Sequence, residues 1–262
     1  MIKAAFFDVD GTLLSFRTHL MPESTKAALV ELRRRGVKCF VATGRLKKQL
    51  PPCVRDGFED FDGFDAYVTL SGSYCYAAGG EPYFEVPIEA DDVAHVVEQV
   101  RAGLYEVIAM DAEHDFVSAK TPEIREVERM ANLDYEVGDI DYALSHKIFQ
   151  FCGFVPPERE HIITDGHPGI MTTRWTDLFC DVVPARSGKP EGVRATLERF
   201  GIGVEESIAF GDGGNDATML EACGIGVAMG NGTESCRAAA DYVTDDVDHD
   251  GIAGALRHFG VI

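Results

Sequence analysis

The chain opens on a short apolar run, Ile2-Lys3-Ala4-Ala5-Phe6-Phe7, that stops at Asp8. A brief apolar stretch ending in acidic residues predicts a buried parallel strand. Residues 22–35 place Ala28, Leu29 and Leu32 on one face of a helix, and Gly36 supplies its stop. A second apolar run, 37–42, breaks at Thr43-Gly44-Arg45, and a third, 66–70, ends at Ser71-Gly72-Ser73. Gly79-Gly80 separates two further β-rich runs and predicts a hairpin turn.

The pattern changes near residue 86. Up to 184 it predicts helices at 90–101 and 122–131, with strands near 106–110, 147–154 and 179–183, and none of these strands runs into a polar loop. Such a mixture predicts a compact α+β unit. Strand–helix alternation then resumes. A helix at 190–200 is stopped by Gly201, a strand at 207–210 ends at Gly211-Asp212, and strands at 225–229 and 241–244 follow. The expected fold class is α/β, with a discontinuous parallel-sheet core (1–84 plus 185–262) and an inserted α+β domain (85–184). Parallel sheets bind ligands beyond the carboxyl ends of their strands. Asp8, Thr43, Ser71 and Asp212 all follow such ends.

Composition narrows the chemistry. The net charge is −20, and 45% of the 262 residues are hydrophobic, enough for a substantial core. So acidic a surface repels nucleic acid and anionic membranes, which are not expected partners. A phosphate site on such a chain must be locally positive. The seven cysteines are scattered without a C-x-x-C pair, which fits buried thiols in a reducing compartment. With no signal-peptide pattern and no long apolar span, a cytoplasmic location is expected.

Asp8 and Asp10 stand two apart, a spacing that in extended backbone turns both carboxylates to one side. Like charges ~4 Å apart repel by roughly 4 kcal/mol at an effective dielectric near 20. Asp212 and Asp216 at another strand end add to that repulsion. The cluster therefore requires raised pKa values or a cation, and an all-oxygen ligand set favours Mg²⁺. Thr43-Gly44 offers a hydroxyl and an open backbone N–H where a strand enters a helix, Lys189 a point charge, and Gly211-Asp212-Gly213-Gly214-Asn215-Asp216 close backbone approach. Taken singly, each segment also fits an ordinary turn or a solvated lysine.

Taken in order, the segments resemble the haloacid-dehalogenase superfamily of phosphatases, in particular its Cof-type branch with a large α/β cap. The resemblance rests on Asp8-Val9-Asp10-Gly11-Thr12-Leu13, Thr43-Gly44-Arg45, Lys189, the Gly211–Asp216 loop followed by Thr218-Met219-Leu220, Gly226-Val227-Ala228-Met229-Gly230-Asn231, and Ala240-Asp241-Tyr242-Val243-Thr244. It implies a Rossmann-like core with Asp8 as nucleophile forming an aspartyl-phosphate, and Asp10 as acid and base. It further implies that Asp8, the Asp10 carbonyl and Asp212 hold Mg²⁺ with Asp216 in support, and that Thr43, Gly44, Lys189 and Asn215 bind the phosphoryl oxygens. The expected substrates are small phosphorylated metabolites, sugar phosphates above all, acted on by a monomer or small homo-oligomer. A sugar phosphomutase or phosphotransferase, and a non-catalytic metabolite sensor, are the alternatives.

Three positions depart from the branch. Ser71-Gly72-Ser73 stands where asparagine usually leads, Pro190 follows Lys189 where glycine is usual, and Asp181 stands where glutamate is commoner. No role is read for Asp181. Asp246-Val247-Asp248-His249-Asp250-Gly251 imitates a calcium loop but reaches Arg257 where the terminal glutamate is required. Gly224, Gly226 and Gly230 lack the dinucleotide spacing, and the eight histidines show no ligand pattern. Trp175 and neighbouring rings are expected in core packing, or lining the inserted domain.

Overall fold

A computed structural model describes residues 1–174 and 176–262; Trp175, whose packing was an expectation above, lies outside them. The first five strands are β1 (Ala4–Phe7), β2 (Lys38–Ala42), β3 (Ala66–Thr69), β4 (Tyr74–Ala77) and β5 (Pro82–Glu85). Then come β6 (Val107–Met110), β7 (Asp115–Val117), β8 (Gln150–Gly153), β9 (Ile170–Thr173) and β10 (Cys180–Pro184). The last are β11 (Ser207–Gly211), β12 (Ile225–Ala228) and β13 (Tyr242–Val243).

Eight strands make one sheet in the order β13-β12-β11-β1-β2-β3-β4-β5. The pairs from β13 to β3 are parallel, and β4 and β5 extend the edge antiparallel as the Gly79-Gly80 hairpin. Strand β1 is fully buried, as its unbroken apolar run requires. It also lies where the order reverses, since the chain leaves it towards β2 on one side and returns through β11 on the other. Phe7 is in register with Val41 and with Phe210. The residues just past these strands therefore emerge side by side at the reversal point, where open α/β sheets bind ligands.

The other five strands form an antiparallel sheet, β7-β6-β8-β10-β9. Its period-two alternation separates two cores. Val107, Ala109, Phe151, Cys180 and Val182 pack with Val93, Val96, Val97 and Val100 of the helix Ala90–Arg101. Ile108, Met110 and Cys152 turn the other way, to Ile124 and Val127 of the helix Pro122–Ala131 and to Leu46 and Leu70 from the loops of the larger sheet. The helix Pro122–Ala131 begins as its sequence dictates, with Thr121 Oγ1 accepting from the Ile124 N–H at 3.3 Å and proline in the first turn.

Two details differ from expectation. Strands β7 and β9 were not foreseen. Both are edge strands of three and four residues with mixed composition, which dilutes any period-two signal. No α-helix starts at Thr43-Gly44 either. The chain runs into a single 3₁₀ turn, Lys47–Gln49, and then Pro51-Pro52, so a helix dipole contributes nothing to anion binding there. All seven cysteines are free thiols.

Candidate active site

Asp8 follows β1, and its N–H donates to the Phe210 carbonyl at 3.0 Å, which clamps the start of the loop to β11. Asp212 follows β11. Gly11 lets the two loops approach, because its φ is +84° and a Cβ there would sit 2.2 Å from Asp212 Oδ2. Thr12 Oγ1 donates to Asp212 Oδ1 at 3.0 Å, and Asn231 Nδ2 donates to the Gly11 carbonyl at 2.8 Å. The backbone N–H groups of Asp212 and Gly213 donate to Asp216 Oδ2 at 3.0 and 2.8 Å.

One oxygen each from Asp8, Asp212 and Asp216 lies within 4.8 Å of the others. Burial, then the nearby Asp216 charge, push the Asp8 carboxyl up to about 7 against the pull of Lys189. Burial, Asp8 and Asp216 likewise raise Asp212 well above the usual carboxylate range. Lys189 is the first residue of the helix Lys189–Phe200 and is itself buried. Its Nζ lies 2.7 Å from Asp8 Oδ1 and 2.5 Å from Asp216 Oδ1. Burial disfavours its charge, but Asp216 and Asp8 outweigh that and hold the ammonium protonated.

One lysine thus faces three buried carboxylates. The surplus negative charge, on oxygen donors alone, fits a hard divalent cation held by Asp8 and Asp212, with Asp216 fixed behind them by its backbone donors. Gly72 completes the setting: a Cβ there would meet the Gly188 carbonyl at 2.0 Å, so the loop after β3 presses directly on the segment that delivers Lys189.

Asp10 takes a different partner. Its carboxylate is held bidentately by Arg45, with Nε to Oδ2 and Nη2 to Oδ1 both 2.7 Å. Arg45 also donates to the carbonyls of Gln49 at 2.8 Å and Ala131 at 2.9 Å, joining Asp10 to the end of the helix Pro122–Ala131. Thr43, Gly44 and Asn215 line the same cavity of about 470 Å³ as Asp8, Asp10 and Asp212. Lys189 touches this group through Asp8 and Asp216. The residues given a part in the chemistry from the sequence, Asp8, Asp10, Thr43, Gly44, Lys189, Asp212, Asn215 and Asp216, are therefore gathered beyond the ends of β1, β2 and β11.

The reading from sequence missed two contributors and left one without a role. Arg45 stood inside a quoted motif, but nothing there told that it would hold Asp10, and Asn231 likewise gave no sign of bracing the Asp212 loop. Asp181 now has a setting, buried in β10, with Ser71 Oγ donating to its Oδ2 at 3.3 Å. The two departures at Ser71 and Asp181 meet each other.

The sequence matches the haloacid dehalogenase-like hydrolase family over residues 5–256. It is 32% identical to YkrA of Bacillus subtilis (strain 168), covering 99% of this chain and 98% of that one. It is 29% identical to the pyridoxal phosphate phosphatase YbhA of Escherichia coli (strain K12), covering 94% of each. Among solved structures, the HAD subclass IIB sugar phosphatase BT4131 superposes with a TM-score of 0.91 at 34% identity, covering 99% of this chain and 100% of that one.

Proposed function

The chain belongs to the haloacid dehalogenase-like hydrolases, as a phosphatase of their Cof-type branch, and from that premise we propose that it cleaves small phosphorylated metabolites through an aspartyl-phosphate on Asp8. The single observation that carries the proposal is the Asp8 carboxylate in a cavity between the two sheets, bonded to a buried Lys189 and flanked by Asp212.

Asp8 attacks the phosphorus and the ester P–O bond breaks. Asp10, in its protonated form and turned out of the Arg45 clamp, passes its proton to the departing oxygen. A water then attacks the aspartyl-phosphate while Asp10 takes up its proton, which frees phosphate and restores the Asp8 carboxylate. Positioned proton transfer of this kind contributes typically 10²–10⁴-fold. Thr43 Oγ1, the Gly44 N–H, Lys189 and Asn215 bind the phosphoryl oxygens, where neutralising charge and fixing geometry supply most of the rate. Mg²⁺, held by Asp8, the Asp10 carbonyl and Asp212, would supply charge neutralisation at the phosphoryl group.

Residues 1–84 and 185–262 act as the catalytic core and 85–184 as the cap, which encloses the substrate and shuts out all but the attacking water. The apolar and polar groups that the cap brings to the cavity suit a leaving group of metabolite size, and sugar phosphates are the expected class, in line with the name of BT4131. Small phosphorylated compounds are the partners. The net charge of −20 disfavours nucleic acid and membrane surfaces, and among the described residues no helix is long and apolar enough to cross a membrane. Phosphate release from a panel of metabolite phosphates, with and without Mg²⁺, tests the proposal. Isomerisation without phosphate release would overturn it in favour of a mutase, and binding without turnover in favour of a sensor.

A further inference from the structure

One wall of the active-site cavity is a face of the antiparallel sheet. The strand residues lining it are Ile108, Met110, Gln150, Cys152 and Asp181. They form two rungs, Ile108–Cys152–Asp181 and Met110–Gln150. The opposite face of these strands carries only apolar side chains into its core. Two buried polar side chains on such a wall are costly unless each is bonded.

Asp181 is bonded three times over. Its Oδ1 accepts from Gln150 Nε2 at 3.0 Å and from Cys152 Sγ at 3.3 Å, and its Oδ2 accepts from Ser71 Oγ at 3.3 Å. Because Gln150 must turn its amide nitrogen to Asp181, its carbonyl end is left over. Gln150 Oε1 is buried and has no partner among the described residues. Three other buried side-chain atoms share that condition, on Arg33, Tyr76 and Thr173, and none of those residues lines this cavity.

A buried acceptor left unmet calls for a partner from outside the chain, and the ligand cavity that Gln150 lines is where one can arrive. We propose that Gln150 Oε1 accepts a hydrogen bond from a hydroxyl of the substrate's leaving group, and that Asp181 is the positioning residue that holds the amide in this orientation. The inference rests on the phosphatase reading above and deepens it: the preferred substrate is a polyol phosphate with a hydroxyl close to its ester. The closeness follows from Gly44, where a Cβ would lie 3.3 Å from Ser71 Oγ, 3.7 Å from Asp181 Oδ2 and 3.9 Å from Gln150 Nε2. The hydroxyl-reading group and the phosphate-binding backbone are thus near neighbours.

The test is a ratio. Wild-type protein with Mg²⁺ is assayed on aldose and ketose phosphates, on their single-deoxy analogues and on p-nitrophenyl phosphate. Removing one particular hydroxyl lowers wild-type kcat/KM by on the order of 10- to 100-fold. In Gln150→Met the penalty for that hydroxyl falls to near unity, while the penalties for other hydroxyls remain. Asp181→Asn lowers the same ratio, and an unaltered ratio removes Asp181 from its positioning role. Should Gln150→Met fold poorly, Gln150→Asn draws the amide back by one methylene and carries the same test. A merely structural role slows both members of the pair alike, and an unchanged ratio in the Gln150 variants would overturn the proposal. Turnover of p-nitrophenyl phosphate with no sugar phosphate accepted would overturn it too, leaving the phosphatase reading intact. Absence of phosphate release from every compound would remove that reading and this inference together.

Discussion

Lys189 and Asp8, 181 positions apart in the chain, meet as a buried ion pair with Nζ 2.7 Å from Oδ1. The same ammonium reaches Asp216, so one cation offsets a cluster of three carboxylates. Removing one partner from a buried pair leaves an uncompensated charge. Lys189→Met is therefore expected to destabilise the metal-free protein by about 3–5 kcal/mol, with Mg²⁺ restoring part of the loss. Urea unfolding with and without Mg²⁺ measures both effects.

The pH dependence has a definite sign. Asp8 stands near 7 in the folded protein, pushed up by burial and then by Asp216, and Asp212 is raised for similar reasons. An acid whose folded pKa exceeds its unfolded value stabilises the fold at pH below about 4, and that contribution is lost as pH climbs through the folded pKa. Metal-free wild type should thus lose stability relative to Asp8→Asn between about pH 4 and pH 7. Stabilisation by Mg²⁺ should grow over the same range, since the metal takes the deprotonated carboxylates. Melting curves of both proteins across pH check this; a constant difference between them contradicts it.

Gly11→Ala separates backbone strain from damage to the site. Its added methyl would enter the space of Asp212 Oδ2 at a φ of +84°, whereas Gly36, with a φ of +77°, has nothing within 4 Å of a built Cβ. Gly36→Ala should cost roughly 1 kcal/mol and leave turnover as it was. Gly11→Ala should cost more and lower kcat/KM by at least about 100-fold, because Asp212 is displaced.

Arg45→Met removes both the clamp on Asp10 and the bond to the Ala131 carbonyl. The loss expected is about 2 kcal/mol in stability, tempered by the partial exposure of Asp10, and roughly 10- to 100-fold in kcat/KM. Guanidine should rescue some activity by re-entering the vacated space.

Much of this arrangement was legible in the sequence because parallel strands announce themselves twice, by an apolar run and by the polar residue that ends it. Asp8, Thr43, Ser71 and Asp212 were readable on that ground, and the parallel registers of β1 with β2 and β11, and of β2 with β3, explain why they converge. The helices Ala90–Arg101 and Pro122–Ala131 have the bounds expected of them. What stayed hidden depends on contacts between distant segments. Nothing local tells that Arg45 will face Asp10, or that Ser71 will meet Asp181. Gln150 did carry a signal, as a lone amide between Phe149 and Phe151 in a strand, but its partner lies on another strand. The helix expected after Gly44 failed because Pro51-Pro52 follows too closely for one to propagate.

In the reaction proposed above, Asp8 carries the phosphoryl group between substrate and water. Protein acid-quenched during turnover of a radiolabelled phosphate ester, then digested and mapped, reads it directly. An alkali-labile label is expected on the peptide containing Asp8, and none on the Asp8→Asn protein, whose phosphate release should fall by about 10⁴-fold or more while its melting temperature does not drop. Label on another residue, or undiminished phosphate release by Asp8→Asn, would contradict it.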